Sequence, residues 1–381
     1  MATVLLLCWR DSGHPQGGGS EHYLETMGEA LANAGHRVYY RTAAYPGAPA
    51  QQDHNGIRFS RGGNRITVYP RALAALVCAR WGRGPLADMG VPDVIIDTQN
   101  GVPFFAHLVS PAPVIILEHH CHHEQWPVAG PGLAQLGWWL ESWLSPRVHR
   151  DCHYITVSEA SKRELQRLGV DAARIAVVPN GCTPLSADQP VRLAPLEGDA
   201  TLRLVTLSRL VPHKQLEHAL TTLAALLPSY PHLHLDIIGS GWWEAELRQH
   251  ARRCGLTAQQ VTFHGHVTDT RKHQLLAQAH LHLMPSRKEG WGLAVMEAAQ
   301  HCVPTIGYRS SAGLTDSVVD GVTGLLVDSL EGFREATQRL IDNPQLCAQM
   351  GEAAQQRAYG FSWEAFAARF RSLTMSQVMA V

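Results

Sequence analysis

Short apolar runs alternate with amphipathic stretches along the whole chain. Val4–Cys8, Arg37–Tyr40, Val91–Ile96, Val114–Leu117, Tyr154–Val157 and Ile175–Val178 read as buried strands. Helical periodicity over Glu21–Ala34 stops at Gly35, and over Ser161–Leu168 at Gly169; glycine suits the left-handed position after a helix. Ser161 and Glu164 have capping-box spacing. After residue 200 the alternation restarts, with strands at Leu202–Leu207, Leu233–Ile238, Val261–Phe263, Leu281–Met284, Thr305–Tyr308 and Gly324–Val327. Helical patterns at 215–227, 244–254, 271–279, 292–301 and 332–341 separate these strands, and 345–358 and 362–378 close the chain. Strand–helix alternation of this kind predicts parallel sheets covered on both faces. Residues 184–200 carry Pro184, Pro190 and Pro195 and few apolar side chains, so they read as a linker. The expected architecture is α/β: two doubly wound parallel-sheet domains facing a central cleft. Their expected spans are 1–183 and 201–360, with a final helix in 361–381. Ligands of open parallel sheets sit beyond the carboxyl ends of the strands, so the loops after strands are where chemistry is expected.

Composition narrows the possibilities. A chain of 381 residues suits two cores rather than one, and 45% apolar against 17% charged residues excludes disorder. The net charge of -1 argues against a general nucleic-acid binder. Eight cysteines with no Cys-x-x-Cys pair do not make a disulfide scaffold or a zinc ribbon in a chain of this size. The start has no basic n-region, and no apolar run approaches the ~20 residues of a membrane span, so a cytoplasmic protein is expected.

Five stretches carry candidate chemistry. Gly17-Gly18-Gly19-Ser20-Glu21 lies between the first strand and the first helix, where backbone amides can approach an anion; a plain flexible connector is the other reading. Glu118-His119-His120-Cys121-His122-His123-Glu124 follows the Val114–Leu117 strand. It invites a metal reading, yet adjacent residues of an extended chain point to opposite faces, and a cleft-facing histidine at a strand tip is the other reading. Arg209 and Lys214 follow the Leu202–Leu207 strand, a fork and a point charge that suit a diphosphate. Gly239-Ser-Gly241 marks a tight turn. In Pro285-Ser-Arg-Lys-Glu289-Gly290-Trp291-Gly292-Leu293-Ala-Val-Met-Glu297, a strand runs through a glycine turn into a helix. The 290–293 amides at the helix start suit phosphate, and Glu289 and Glu297 could accept hydrogen bonds from hydroxyls on either side. A diphosphate between two polyols describes a sugar nucleotide.

Together these stretches resemble glycosyltransferase family 4, the retaining transferases of GT-B fold with two Rossmann-like domains. Glu289 and Glu297 match its Glu-x7-Glu motif, Arg209 and Lys214 its phosphate-binding pair, and Gly17–Gly19 its first glycine loop. Pro179-Asn180-Gly181 and Gly313–Gly324 match its pre-linker turn and late glycine motif. The chain departs from the family at Cys182-Thr183, at Asp316, and at the His213-Lys214-Gln215 triplet. The resemblance implies an N-terminal acceptor domain and a C-terminal donor domain, with the final helix of 361–381 packing back on the first. It implies that His119, with His120 as the alternative, sits with its backbone carbonyl beside the transferred sugar. Glu289 then orients sugar hydroxyls and Glu297 the ribose, while Gly17, Gly18, Gly19, Gly239, Gly290, Trp291, Gly292 and Leu293 line the donor site. The implied reaction moves a hexose from a UDP- or GDP-sugar substrate to a hydroxyl of a small molecule, glycan or lipid-linked acceptor, with retention.

No Asp-x-Asp occurs, and Arg209, Lys214 and the helix amides can replace a metal's charge, so no cofactor and no metal are expected. Trp126, Trp138, Trp139 and Trp143, with Arg147 and Arg150 nearby, read either as core or as an acceptor surface or peripheral membrane contact through the 138–150 region. A GT-B sugar-nucleotide epimerase or phosphorylase, a non-catalytic nucleotide-sugar binder, and a metallohydrolase built on His119–His123 are the rival readings.

Overall fold

The computed structural model describes residues 1–124, 126, 130–186, 189 and 201–379. The chain divides into two compact units: Met1–Gly181 with Trp363–Val381, and Cys182–Ser362. The boundary therefore falls two residues before the expected 183, and the return to the first unit falls at Trp363 rather than 361. The expected linker lies mostly outside the described residues.

Unit 1 holds β1 (Thr3–Leu7), β2 (Arg37–Thr42), β3 (Gln51–His54), β4 (Ile57–Arg61), β5 (Val94–Thr98), β6 (Val114–Glu118), β7 (His153–Thr156) and β8 (Ile175–Val177). They form one sheet in the order β3-β4-β2-β1-β5-β6-β7-β8. All neighbours are parallel except the β3–β4 hairpin at the edge, which the sequence pattern does not announce. Both faces are covered, which is why β1 is apolar at Val4, Leu5, Leu6 and Leu7 rather than alternating. Leu5 and Leu7 pack with Ala72, Ala75 and Leu76 of the Val68–Ala79 helix. Leu6 points the other way, where Gly28 of the Gly19–Asn33 helix lies so close that a Cβ would sit 2.8 Å from it. The final helix, Trp363–Met379, packs on that same first helix. Trp363 sits directly on Gly181, where a Cβ would come within 2.4 Å of its ring.

Unit 2 holds β9 (Leu202–Leu207), β10 (Leu233–Ile238), β11 (Val261–Gly265), β12 (Leu281–Met284), β13 (Thr305–Tyr308) and β14 (Gly324–Val327), all parallel, in the order β11-β10-β9-β12-β13-β14. Successive strand residues again serve opposite layers. Leu204, Ile237 and Leu283 pack with Leu220, Leu223 and Phe333, while Val205 and Ile238 pack with Leu275, Leu276 and Ala298. The order reverses between β9 and β12. That switch point opens a crevice at the strands' carboxyl ends, where open α/β sheets bind ligands.

Two local expectations change. The Glu159–Arg167 helix is capped by Ser158, whose hydroxyl accepts from the Ser161 amide, so Ser161 and Glu164 are not its capping pair. The carboxylate that reaches back to a cap amide is Glu21, 2.8 Å from the Gly18 nitrogen at the start of Gly19–Asn33.

Candidate active site

The switch point of unit 2 is flanked by the loops after β9 and β12, and these carry the two motifs singled out above. The loops are tied by the Arg287 amide donating to the His213 carbonyl at 2.9 Å. Across this junction Lys214 Nζ meets Glu289 Oε1 at 2.5 Å, with side-chain exposures of only 13% and 9%. A largely dehydrated ion pair is strongly directional, and it leaves two further ammonium donors and the second carboxylate oxygen for a ligand. Arg209 stands on the exposed part of the same β9 loop.

Two glycines hold that loop rather than a ligand. Gly239 has φ +127, and a Cβ there would lie 1.9 Å from the Ser208 carbonyl oxygen; a Cβ on Gly241 would lie 2.1 Å from that of Leu210. The Leu210 amide donates to the Ser240 carbonyl at 2.9 Å. Gly239 thus shapes the Arg209 turn by backbone packing. Gly313 fits against Gly290 in the same way, with a Cβ contact of 2.4 Å, and the Gly313 amide donates to the Glu289 carbonyl. The late glycine motif therefore braces the backbone that presents Glu289.

The helix after β12 runs only from Leu293 to Ala299, preceded by Gly292 at φ +95. Trp291 is 2% exposed and its ring packs on Phe361 at 4.9 Å. Its side chain is core, so any donor contact at this position falls to its backbone amide. Glu297 is not beside Glu289's cation: it meets Lys272 Nζ at 2.6 Å, and Lys272 also holds Asp269 at 2.8 Å. Twenty-five positions separate Lys272 from Glu297, and no local pattern signals the pairing.

In unit 1 the strand order reverses between β1 and β5. The loop after β1 contains Gly17–Gly19. Gly17 needs its hydrogen, since a Cβ would lie 2.8 Å from the Ser12 carbonyl; Gly18 has room. Fully buried Glu21 anchors the loop, accepting from Arg10 Nε and Ser20 Oγ, each at 2.8 Å. The sequence reading missed this pair, though an Arg directly after a strand and a Glu three residues after a cap glycine are its signal.

His119 lies just past β6, 6% exposed, with its ring edge-on to Tyr23 at 5.2 Å. Burial, with His122 and Arg10 adding positive charge, pushes its pKa down to about 3, so the imidazole is neutral. Nε2 has no partner. Its backbone carbonyl accepts from Ser161 Oγ at 2.9 Å, so the oxygen assigned to the sugar is already engaged within the unit.

The histidine run does not converge on one point. His120 stacks on His122, while His122 and Trp126 donate to buried Glu141 at 2.6 and 2.5 Å. Among the described residues, the group that does converge, with ligand atoms within 4.8 Å, is Glu118, Cys121 and Glu141, and it contains no histidine. The tryptophans split: Trp126 packs onto Gly137, whereas Trp139 and Trp143 are 45% and 44% exposed and stack at 5.2 Å, with Arg147 over Trp143.

Two doubly wound parallel sheets, each with its site loops at the strand-order reversal, define the GT-B class of glycosyltransferases. The description "Glycosyltransferase Family 4" matches residues 17–184 and "Glycosyl transferases group 1" matches 195–357. The chain belongs to the family 4 glycosyltransferases. It is 30% identical over 236 residues to a glycogen synthase of Mycobacterium tuberculosis, matching 60% of this chain but only 54% of that protein. It is 26% identical over 384 residues to a GDP-mannose-dependent alpha-(1-6)-phosphatidylinositol monomannoside mannosyltransferase of Mycolicibacterium smegmatis, matching 94% of this chain and 95% of the other. Among solved structures, a sucrose-phosphate synthase from Thermosynechococcus elongatus shares the fold with TM-score 0.82 and 20% identity over the whole of both chains. Anabaena Alr3699/HepE in complex with UDP and glucose matches with TM-score 0.73 and 18% identity, over 99% of this chain and 100% of the other.

Proposed function

We propose that this protein transfers a hexose from a nucleoside-diphosphate sugar to a hydroxyl acceptor, with retention and without a divalent metal. The observation that carries the reading is the Lys214–Glu289 pair at the β9/β12 switch point. Bond cleavage at the anomeric carbon builds negative charge on the leaving diphosphate. Lys214 and Arg209 supply the opposing cations, the part a metal plays elsewhere. Glu289 offers a carboxylate oxygen to sugar hydroxyls, and Glu297 one to ribose. The family resemblance gives the sugar-side role to His119, whose neutral ring and unpartnered Nε2 allow a hydrogen bond to a hydroxyl but no charge. The UDP and glucose bound to the Anabaena protein and the GDP-mannose of the Mycolicibacterium relative support a UDP- or GDP-sugar donor.

The acceptor belongs to unit 1, a glycan or lipid-linked alcohol. No helix among the described residues is long and apolar enough to cross a membrane. Trp139, Trp143 and Arg147 form the exposed face assigned here to peripheral membrane contact. The test of the donor reading is a panel of UDP-, GDP- and ADP-sugars in EDTA, read by thermal stabilisation and slow donor hydrolysis. A protein stabilised by none of them is not this transferase.

A further inference from the structure

Arg41 is a buried cation for which the described residues of unit 1 supply no anion. It lies near the carboxyl end of β2, opposite Ser60 of β4, and is 4% exposed. Nη1 donates to Ser60 Oγ at 2.9 Å and Nε has no partner. Among the described residues no carboxylate forms an ion pair with it. Guanidinium does not shed its proton, and buried charges are normally paired or hold a ligand.

The surroundings add positive charge. Arg71 lies close enough, on top of the burial itself, to disfavour Arg41's proton. Arg65 and Arg10 stand over the Trp9 ring at 5.6 and 4.6 Å. Arg61 is neutralised by Asp11 at 2.6 Å and Arg10 by Glu21 at 2.8 Å. The backbone is pared away beside the guanidinium: a Cβ on Gly62 would lie 2.7 Å from Nη2. At the next residue, a Cβ on Gly63 would lie 2.8 Å from the Val68 nitrogen, where the twelve-residue Val68–Ala79 helix begins. A buried fork and two glycines thus meet beyond the carboxyl ends of β2 and β4, on the side of the sheet where ligands bind, while the amides of residues 66–68 at the helix start are held by Asn64.

We propose that Arg41 holds an oxyanion of the acceptor, a phosphate or carboxylate, with Arg65 and Arg71 as outer cations. The planar fork matches two oxygens of either group. The assignment of this anion to an acceptor rests on the transferase reading above; the anion site itself does not.

Inorganic phosphate is the probe, titrated into the full chain at constant ionic strength and read by calorimetry and melting temperature. Arg209→Ala serves as a background that removes phosphate held by unit 2. Both wild type and Arg209→Ala should bind phosphate, and Arg41→Met should weaken it by about ten- to a hundredfold. Without phosphate, Arg41→Met should melt at or above the wild-type temperature, because an unpaired buried charge has gone. Arg41→Lys, charged but not forked, should fall between. In transfer assays a phosphorylated, a carboxylated and a neutral acceptor sugar distinguish the two sources of the anion, and Arg41→Met should erase the preference for the better one. Equal phosphate binding by Arg41→Met and wild type would mean an adventitious ion only and would overturn the proposal. So would an Arg41→Met protein that melts lower and a wild type indifferent to phosphate, the signature of a purely structural arginine. If phosphate binding depends on Arg41 while no sugar nucleotide binds, the transferase reading fails and the anion site stands.

Discussion

Lys214 Nζ sits 2.5 Å from Glu289 Oε1, joining the loops that follow β9 and β12. The pair makes the cation of one loop and the carboxylate of the other one electrostatic unit, so substitutions at either should be felt at both.

Glu289→Gln should lower transfer by about one to two decades, because each hydrogen bond to a charged group is worth roughly 1.5–3 kcal/mol and ~1.4 kcal/mol is tenfold. The same change releases Lys214 from its partner, so affinity for bare nucleoside diphosphate should stay or rise. Arg209→Ala should weaken bare diphosphate and intact donor alike. Calorimetry with UDP or GDP beside transfer rates separates the two; a Glu289→Gln protein that loses bare diphosphate as Arg209→Ala does would remove the sugar from Glu289.

Transfer should persist in EDTA at near its untreated rate. Abolition by chelation with recovery in manganese or magnesium would show that Lys214 and Arg209 do not replace a metal.

Acid should destabilise the fold through buried histidines. His119 and His282 are each pushed down to about 3, His282 by burial alone. A lowered folded pKa means the unfolded chain takes up the proton first. The stability these neutral rings retain is full above pH 6.5 and is lost as pH falls from 6.5 toward 3. At pH 5 each site should cost about 2 kcal/mol. His282→Met, which cannot titrate, should show a shallower fall in urea midpoint between pH 7 and pH 5; an unchanged slope would refute the assignment.

Gly239→Ala should be among the most damaging single methyl additions. The left-handed backbone and the Ser208 oxygen at 1.9 Å force the β9 loop to move. A loss of about 2–4 kcal/mol is expected, together with weaker diphosphate binding through the displaced Arg209. Gly18→Ala, which meets nothing nearer than 3.8 Å, should cost under about 1 kcal/mol. Thermal melts of the two variants give the comparison.

Trp139→Ser with Trp143→Ser should reduce co-sedimentation with anionic vesicles and leave bare-diphosphate affinity in unit 2 unchanged. Vesicle binding equal to wild type would assign the stacked pair to another partner.

The residue order alone determined most of the alternation of strands and helices, because burial on both faces makes central parallel strands such as β1 and β6 nearly continuous apolar runs. It also determined the reversal loops, because Gly17, Gly239 and Gly292 mark where backbone must turn or approach closely. Glu289 and Lys214 could be placed in the loops after two neighbouring strands, which the sheet brings together as an ion pair. Pairings across the chain were not legible. Lys272 reaches Glu297, Glu141 takes up His122 and Trp126, and Ser161 holds the His119 carbonyl, and no periodic pattern encodes such contacts. The sequence equally could not separate Trp291, which is core, from Trp139 and Trp143, which are surface, since burial of a tryptophan depends on what packs over it. Nor could it show Arg41 as a cation without an anion. Whether a charge is paired depends on which strands lie side by side, and only the packed sheet decides that.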